Sequence, residues 1–109
     1  MEITVDQIND IYILRVIGKL DNSNASDCEV KISELIDSGC KHLIFDFSKL
    51  EYISSAGLRI VLVAIRMLRE KSGELSIFGM SDHVTEVFAI CGLNKKIKVY
   101  KTQEEAVNA

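Results

Sequence analysis

Short apolar runs alternate with segments of helical periodicity along most of the chain, and this alternation restricts the possible folds more than any other feature. The apolar runs at residues 42–47, 74–78 and 97–100 are predicted strands, and a helical pattern lies between each successive pair. Strands that alternate with helices usually pair in parallel, because each helix carries the chain back across the sheet. The sequence therefore predicts an α/β domain with a largely parallel central sheet packed by about four helices.

The first seventeen residues add an antiparallel element. Apolar and polar residues alternate at residues 3–7, and residues 11–17 form a run rich in β-branched side chains. Asn9 and Asp10, which separate the two, can form a tight turn, so we expect an N-terminal β-hairpin and a mixed sheet. The chain of 109 residues shows no repeat and no linker, and we expect one domain over residues 1–109.

Two helices are predicted in the first two thirds of the chain. One follows the polar residues 22–24, any of which can cap a helix, and ends where Gly39 can adopt the left-handed conformation. Residues 48–52 are predicted to be a connection, and a long helix covers about residues 56–70.

This long helix carries two apolar stripes where a surface helix needs one. The stripe predicted to face the sheet comprises Leu58, Val61, Leu62, Ile65 and Leu68. The second stripe comprises Ile60, Val63, Ala64 and Met67. Either a neighbouring helix covers this second stripe, or it forms a partner-binding surface.

Two further helices are predicted near the carboxyl terminus. The first begins after Ser81 or Asp82, ends at Gly92, and has an apolar face formed by Val84, Val87, Phe88 and Cys91. The second opens with the capping-box pattern T-x-x-E at residues 102–105.

The charge of the chain argues against nucleic-acid binding. With 16 acidic and 13 basic residues the net charge is -3, whereas nucleic-acid binders usually carry a basic surface. One local basic cluster, formed by Lys95, Lys96 and Lys98, favours a solvated turn over a phosphate-binding surface.

Metal binding and membrane insertion are also disfavoured. The two histidines, His42 and His83, lie far from other candidate ligands, and the three cysteines form no CxxC pair. Free thiols suit a reducing compartment, and each cysteine is expected to be a small buried apolar residue. The longest apolar stretch, residues 60–68, is too short for a membrane span of about 20 residues. No signal peptide is visible, so we expect a cytoplasmic protein. We also expect it to need no metal and no cofactor.

Familiar catalytic patterns are missing. The sequence contains no phosphate-binding loop and no GxGxxG motif. Ser55 lies at a strand-to-helix turn, but Ile53 stands where the nucleophile elbow of a hydrolase requires glycine. Asp46 follows a buried strand, as in phospho-accepting receiver domains, but lacks the acidic pair that would hold magnesium. An enzyme is therefore disfavoured.

The turn at residues 54–57 has two interpretations. In the simpler one, Ser54 or Ser55 caps the following helix through its side-chain oxygen. In the functional one, a second serine is available, and Gly57 leaves the backbone open to an approaching partner.

Five segments in order resemble the anti-sigma factor antagonists, which are STAS domains. Two of them are DFS at residues 46–48 and YISSAGLR at residues 52–59, which resemble the family's strand end and the turn that opens its long helix. GKLD at residues 18–21, GL at residues 92–93 and EA at residues 105–106 match further family segments. The resemblance covers essentially the whole chain.

The resemblance implies partner switching. In this family the serine at the position of Ser55 is phosphorylated by an anti-sigma factor that is also a serine kinase. The unphosphorylated antagonist binds that kinase and frees a sigma factor, and a metal-dependent phosphatase restores it. Asp21 is implied as a kinase contact, and we expect a monomer or weak dimer.

One residue departs from the family pattern. Many members have aspartate immediately before the acceptor serine, and this chain has Ser54, which is the second choice of acceptor. Arg59, one helical turn after Ser55, either pairs with a phosphate or is solvated. The alternative to a switch is a constitutive scaffold. The expected partner contacts are Asp21, Ser54, Ser55, Ala56, Gly57, Leu58, Arg59, Ile60 and Val63.

Overall fold

A six-stranded mixed sheet lies at the centre of the structure, a computed structural model that describes residues 1–109. The strands are β1 (Glu2–Ile8), β2 (Ile11–Leu20), β3 (His42–Asp46), β4 (Leu50–Ile53), β5 (Glu74–Phe78) and β6 (Lys98–Tyr100). Five strands follow the order β1-β2-β3-β5-β6, and β4 pairs with β2 beyond the end of β3. Only β1 and β2 are antiparallel, which confirms the hairpin and the largely parallel sheet.

Four α-helices pack on the sheet, as predicted. The large core, built around Leu14, Phe45 and Ile77, lies between one face of the sheet and three of the helices. The fourth helix packs on the opposite face, where Ala106 contacts a small cluster that includes Ile44. The helices are α1 (Ala25–Asp37), α2 (Ser55–Glu70), α3 (Asp82–Cys91) and α4 (Gln103–Val107), and a short 3-10 turn covers Leu93–Lys95.

The prediction that residues 48–52 are only a connection is wrong, because β4 begins at Leu50. β2 continues past its apolar run, and its last residues pair with β4 after a register shift between Gly18 and Lys19. Glu51 and Tyr52 are exposed, so β4 shows only two buried side chains and carries little apolar signal.

The prediction that α2 carries two separate apolar stripes is also wrong. One face is buried, and it is formed by Gly57 together with residues of both stripes: Ile60, Val61, Ala64, Ile65 and Leu68. Leu58 and Leu62 are half-buried on one flank, while Val63 and Met67 are half-buried elsewhere on the helix. Because α1 packs against α2, the second stripe is not a free apolar surface.

The three cysteines differ in their surroundings. Cys28 and Cys40 are buried, as expected, and burial raises the pKa of Cys28 to about 11. Cys91 is exposed. Its predicted place on the apolar face of α3 is therefore wrong, since only Val84 and Phe88 of that helix are buried.

A buried carboxylate, Asp46, ends β3. Its Oδ2 accepts a hydrogen bond from Nε of Arg15 at 2.7 Å. Its Oδ1 accepts from the backbone N and the hydroxyl of Ser48 at 3.0 and 2.6 Å. Burial by itself raises the pKa of Asp46, but the hydrogen bonds from Ser48 and Arg15 outweigh it and hold the pKa below its ordinary value.

This network predicts acid sensitivity. Because the pKa of Asp46 is lower in the folded state, its ionised form stabilises the fold above the unfolded-state pKa of about 4. That contribution is lost as the pH falls through the lower folded-state pKa. We expect Asp46→Asn to cost about 1–3 kcal/mol of unfolding free energy at pH 7 and to flatten the fall in stability below pH 4. Urea denaturation at pH 7 and pH 3 measures both effects, and an unchanged pH dependence would contradict the assignment.

Candidate functional site

The candidate site lies where the carboxyl ends of β2 and β4 meet the amino terminus of α2. Asp21 follows β2 and Ser54 follows β4. Because these strands are parallel neighbours, the residues that follow them lie side by side. The backbone N of Ser54 donates to the carbonyl of Leu20 at 2.9 Å, which fixes the start of α2 against β2.

Ser54 is the N-cap of α2. Its hydroxyl oxygen accepts a hydrogen bond from the backbone N of Gly57 at 3.3 Å, and its carbonyl accepts from Leu58 at 2.9 Å. Ser55 is the first residue of the helix and is exposed, and its hydroxyl takes no part in the cap. The two adjacent serines therefore have different roles, one in the cap and one at the surface.

A shallow, open cleft of about 550 Å³ contains both serines and Asp21. Oδ1 of Asp21 accepts from the backbone N and the hydroxyl of Ser23 at 2.9 and 2.6 Å. These hydrogen bonds lower the pKa of Asp21, so its carboxylate is ionised at neutral pH. The cleft therefore contains both the exposed hydroxyl of Ser55 and the negatively charged carboxylate of Asp21.

Gly57 has a different role from the one expected. A Cβ atom at this position would lie 2.7 Å from Cγ1 of Ile53 and 2.9 Å from Cγ of Leu20. The glycine therefore allows α2 to pack closely on β2 and β4. The interpretation that it leaves the backbone open to a partner is wrong, because its Cα faces the protein interior.

The other predicted contacts are divided between surface and core. Arg59 is exposed, and Ala56, Leu58 and Val63 are half-buried. Ile60 is 1% exposed and cannot contact a partner on this surface. The expectation of a contact is therefore wrong for Ile60, as it is for the buried Gly57.

Sequence reasoning missed one feature of the cleft. Tyr52 lines it and is 43% exposed. The available signal in the sequence was that Tyr52 is an aromatic residue in a polar segment. This signal indicates the site only when it is known that β4 ends at Ile53.

The chemistry available in the cleft is that of a binding surface. Neither histidine lines it, so the Ser55 hydroxyl has no imidazole base there. No group of three or more His, Cys, Asp or Glu side chains is placed to hold a metal ion. None of the helices is both long and apolar enough to span a bilayer.

Comparison with known proteins identifies the family. The family model of the STAS domain matches residues 2–106. This chain belongs to the STAS domain family. Among curated relatives of this STAS domain is BtrV of Bordetella bronchiseptica, which is named as an anti-sigma factor antagonist. It is 36% identical over 109 residues, or 100% of this chain and 94% of BtrV.

Solved structures agree with the fold. A Thermotoga maritima protein named as an anti-sigma factor antagonist superposes with a TM-score of 0.94 at 20% identity, covering 97% of this chain and 92% of that one. The Bacillus cell fate determinant SpoIIAA, solved in its phosphorylated form, has a TM-score of 0.79 at 26% identity, covering 98% and 97%.

Together these matches place the STAS domain among the anti-sigma factor antagonists. Proteins of this group are non-enzymatic regulators that act on anti-sigma factors. The expected family and the expectation that the chain is not an enzyme are therefore confirmed.

Proposed function

We propose that this STAS domain acts in the cytoplasm as an anti-sigma factor antagonist switched by phosphorylation of Ser55. The unphosphorylated form binds an anti-sigma factor that is also a serine kinase, which frees a sigma factor. The kinase transfers phosphate to Ser55 and binding ends. A metal-dependent serine phosphatase removes the phosphate and restores the binding form.

The observation that carries this proposal is the division of roles between the two serines. Ser54 supplies the helix cap, so its hydroxyl oxygen is engaged, while Ser55 is exposed in the same cleft as Asp21. A kinase can therefore reach Ser55 without opening the helix. The relative SpoIIAA, which has been solved in a phosphorylated form, supports a phosphorylated state for this fold.

Simple energetics favour a change at the surface over a change of fold. A phosphoserine carries a charge of about -1.5 to -2, and a helix N-terminus favours negative charge by about 0.3–2 kcal/mol. Phosphate on Ser55 therefore leaves α2 intact. Moving a partner from almost fully bound to almost fully free takes about 5.5 kcal/mol, which steric conflict and buried charge at an interface can supply.

Phosphosite mapping tests the proposal. We expect mass spectrometry of the chain isolated from growing cells to find phosphate on Ser55, and Ser55→Ala to abolish it. Ser54→Asp is the matched control, because aspartate caps a helix as well as serine does. In this variant we expect Ser55 to be phosphorylated as in the wild type. A chain that never carries phosphate on either serine would instead be a constitutive scaffold, and phosphate on Ser54 alone would overturn the assignment to Ser55.

A further inference from the structure

A second concave surface lies at the far end of α2. It is a groove of about 700 Å³ between the last turns of α2, the start of β5 and the segment from Asn94 to Tyr100. A smaller hollow of about 310 Å³ continues it along α2 and shares Ile65, Arg69 and Lys96 with it. Ile65 is the α2 residue of the groove nearest to Ser55, and it lies ten residues further along the helix, or about 15 Å away. The groove is therefore separate from the cleft that contains Ser55.

The charge of this surface is opposite to that of the chain. The two hollows are lined by two carboxylates, Glu70 and Glu74, and by five cationic side chains: Arg66, Arg69, Lys95, Lys96 and Lys98. The lining therefore has a net charge of +3 on a chain whose net charge is -3. Lys98 pairs with Glu74 at 3.1 Å, which leaves the other cations facing a single carboxylate.

The fold brings these cations together from separate segments. In the sequence, the lysines near residue 96 indicate only a solvated turn, but the structure places Arg66 and Arg69 of α2 beside them. Nη2 of Arg69 points to the carbonyl of Lys96 at 3.5 Å, so the two segments touch. The lining also includes the apolar side chains of Leu75, Ile97 and Val99.

We propose that this groove binds a small organic molecule that carries two or more phosphate or carboxylate groups. Arginine and lysine side chains that converge from several elements are the groups that bind such anions. The apolar lining suits an uncharged part of the ligand, and the volume lies within the range of small-molecule sites. The groove is small and concave, which favours a small ligand over an acidic protein segment, because a protein partner would need about 800 Å² of contact.

An NMR titration of the full chain tests the proposal with inorganic tripolyphosphate as the probe, at constant ionic strength. We expect saturable shifts of backbone amides at residues 65–69, 73–75 and 94–100, and none around Ser55. The double variant Arg66→Gln/Lys96→Gln should weaken binding at least tenfold, because it removes two of the cationic hydrogen-bond donors that line the groove. Arg69 is left unchanged because it contacts the backbone of Lys96.

The matched control is Lys31→Gln/Lys49→Gln, which removes the same charge from exposed positions elsewhere. We expect it to change the dissociation constant less than twofold. Equal weakening by both double variants, or the absence of saturable shifts, would overturn the proposal. Tighter binding of a hexaglutamate peptide than of tripolyphosphate would assign the groove to an acidic protein instead. Ser55→Asp should leave the titration unchanged, so the result is independent of the proposed switch.

Discussion

Ser55→Asp is expected to abolish binding to the partner kinase while leaving the fold intact. The carboxylate adds a negative charge to the exposed first residue of α2, in the cleft that already contains ionised Asp21. A charge buried without a partner at an interface costs about 2–5 kcal/mol, so we expect affinity to fall about 100-fold or more. A quantitative pull-down from native lysate identifies the kinase, and titration of the purified kinase measures the change.

Two variants serve as controls for this experiment. Ser55→Ala removes the hydroxyl without adding charge and is expected to bind the kinase about as well as the wild type. Ser54→Asp adds the same charge one residue earlier, at the half-buried cap position. There the carboxylate can accept the cap hydrogen bond from the backbone N of Gly57 and is not left unpaired, so this variant is expected to retain most of the binding. If all three variants capture the same partners equally, Ser55 is only the first residue of a helix and the chain is a scaffold.

Phe47→Ala is expected to cause a large loss of stability. Phe47 is 1% exposed and stacks on Phe45 with ring centroids 5.3 Å apart. Its ring also meets Phe88 of α3 edge-on at 6.4 Å, so it links that helix to the sheet. Truncation of a buried phenylalanine costs about 3–5 kcal/mol, which is a large share of the about 5–15 kcal/mol by which domains are stable.

Urea denaturation measures this loss. Phe47→Leu keeps much of the apolar volume and should lose clearly less. Ile90→Ala is the matched control on α3, because Ile90 is 78% exposed and its truncation should change the unfolding free energy by less than about 0.5 kcal/mol. A loss for Phe47→Ala no larger than that of Ile90→Ala would mean that the aromatic contacts do not hold α3 to the sheet.

Features set by neighbouring residues were predictable from the sequence. Gly39 and Gly92 adopt positive φ at helix ends, and Thr102 and Glu105 form the predicted capping box. Each depends on a backbone conformation or hydrogen bond within a few residues, which composition and spacing reveal. The placement of Ser54 before α2 was predictable for the same reason.

Features set by distant contacts were not predictable. β4 forms because it pairs with the end of β2. Its exposed Glu51 interrupts the apolar pattern by which a strand is recognised in a sequence. The need for glycine at position 57 comes from Leu20 and Ile53, which no local pattern identifies. The burial of Ile60 follows from the way α1 and the sheet together cover α2. In each case tertiary packing decided what periodicity left open.

The close packing of α2 at Gly57 has a consequence for how long a signal lasts. With no room for even one methyl group between the helix and the underlying strands, the start of α2 has little freedom to relax after Ser55 is modified. In the proposed function the phosphate is attached to Ser55 by a covalent bond, so a slow conformational change of the protein does not remove it. The lifetime of the phosphorylated state and the rate of switching are therefore set by the kinase and the phosphatase alone.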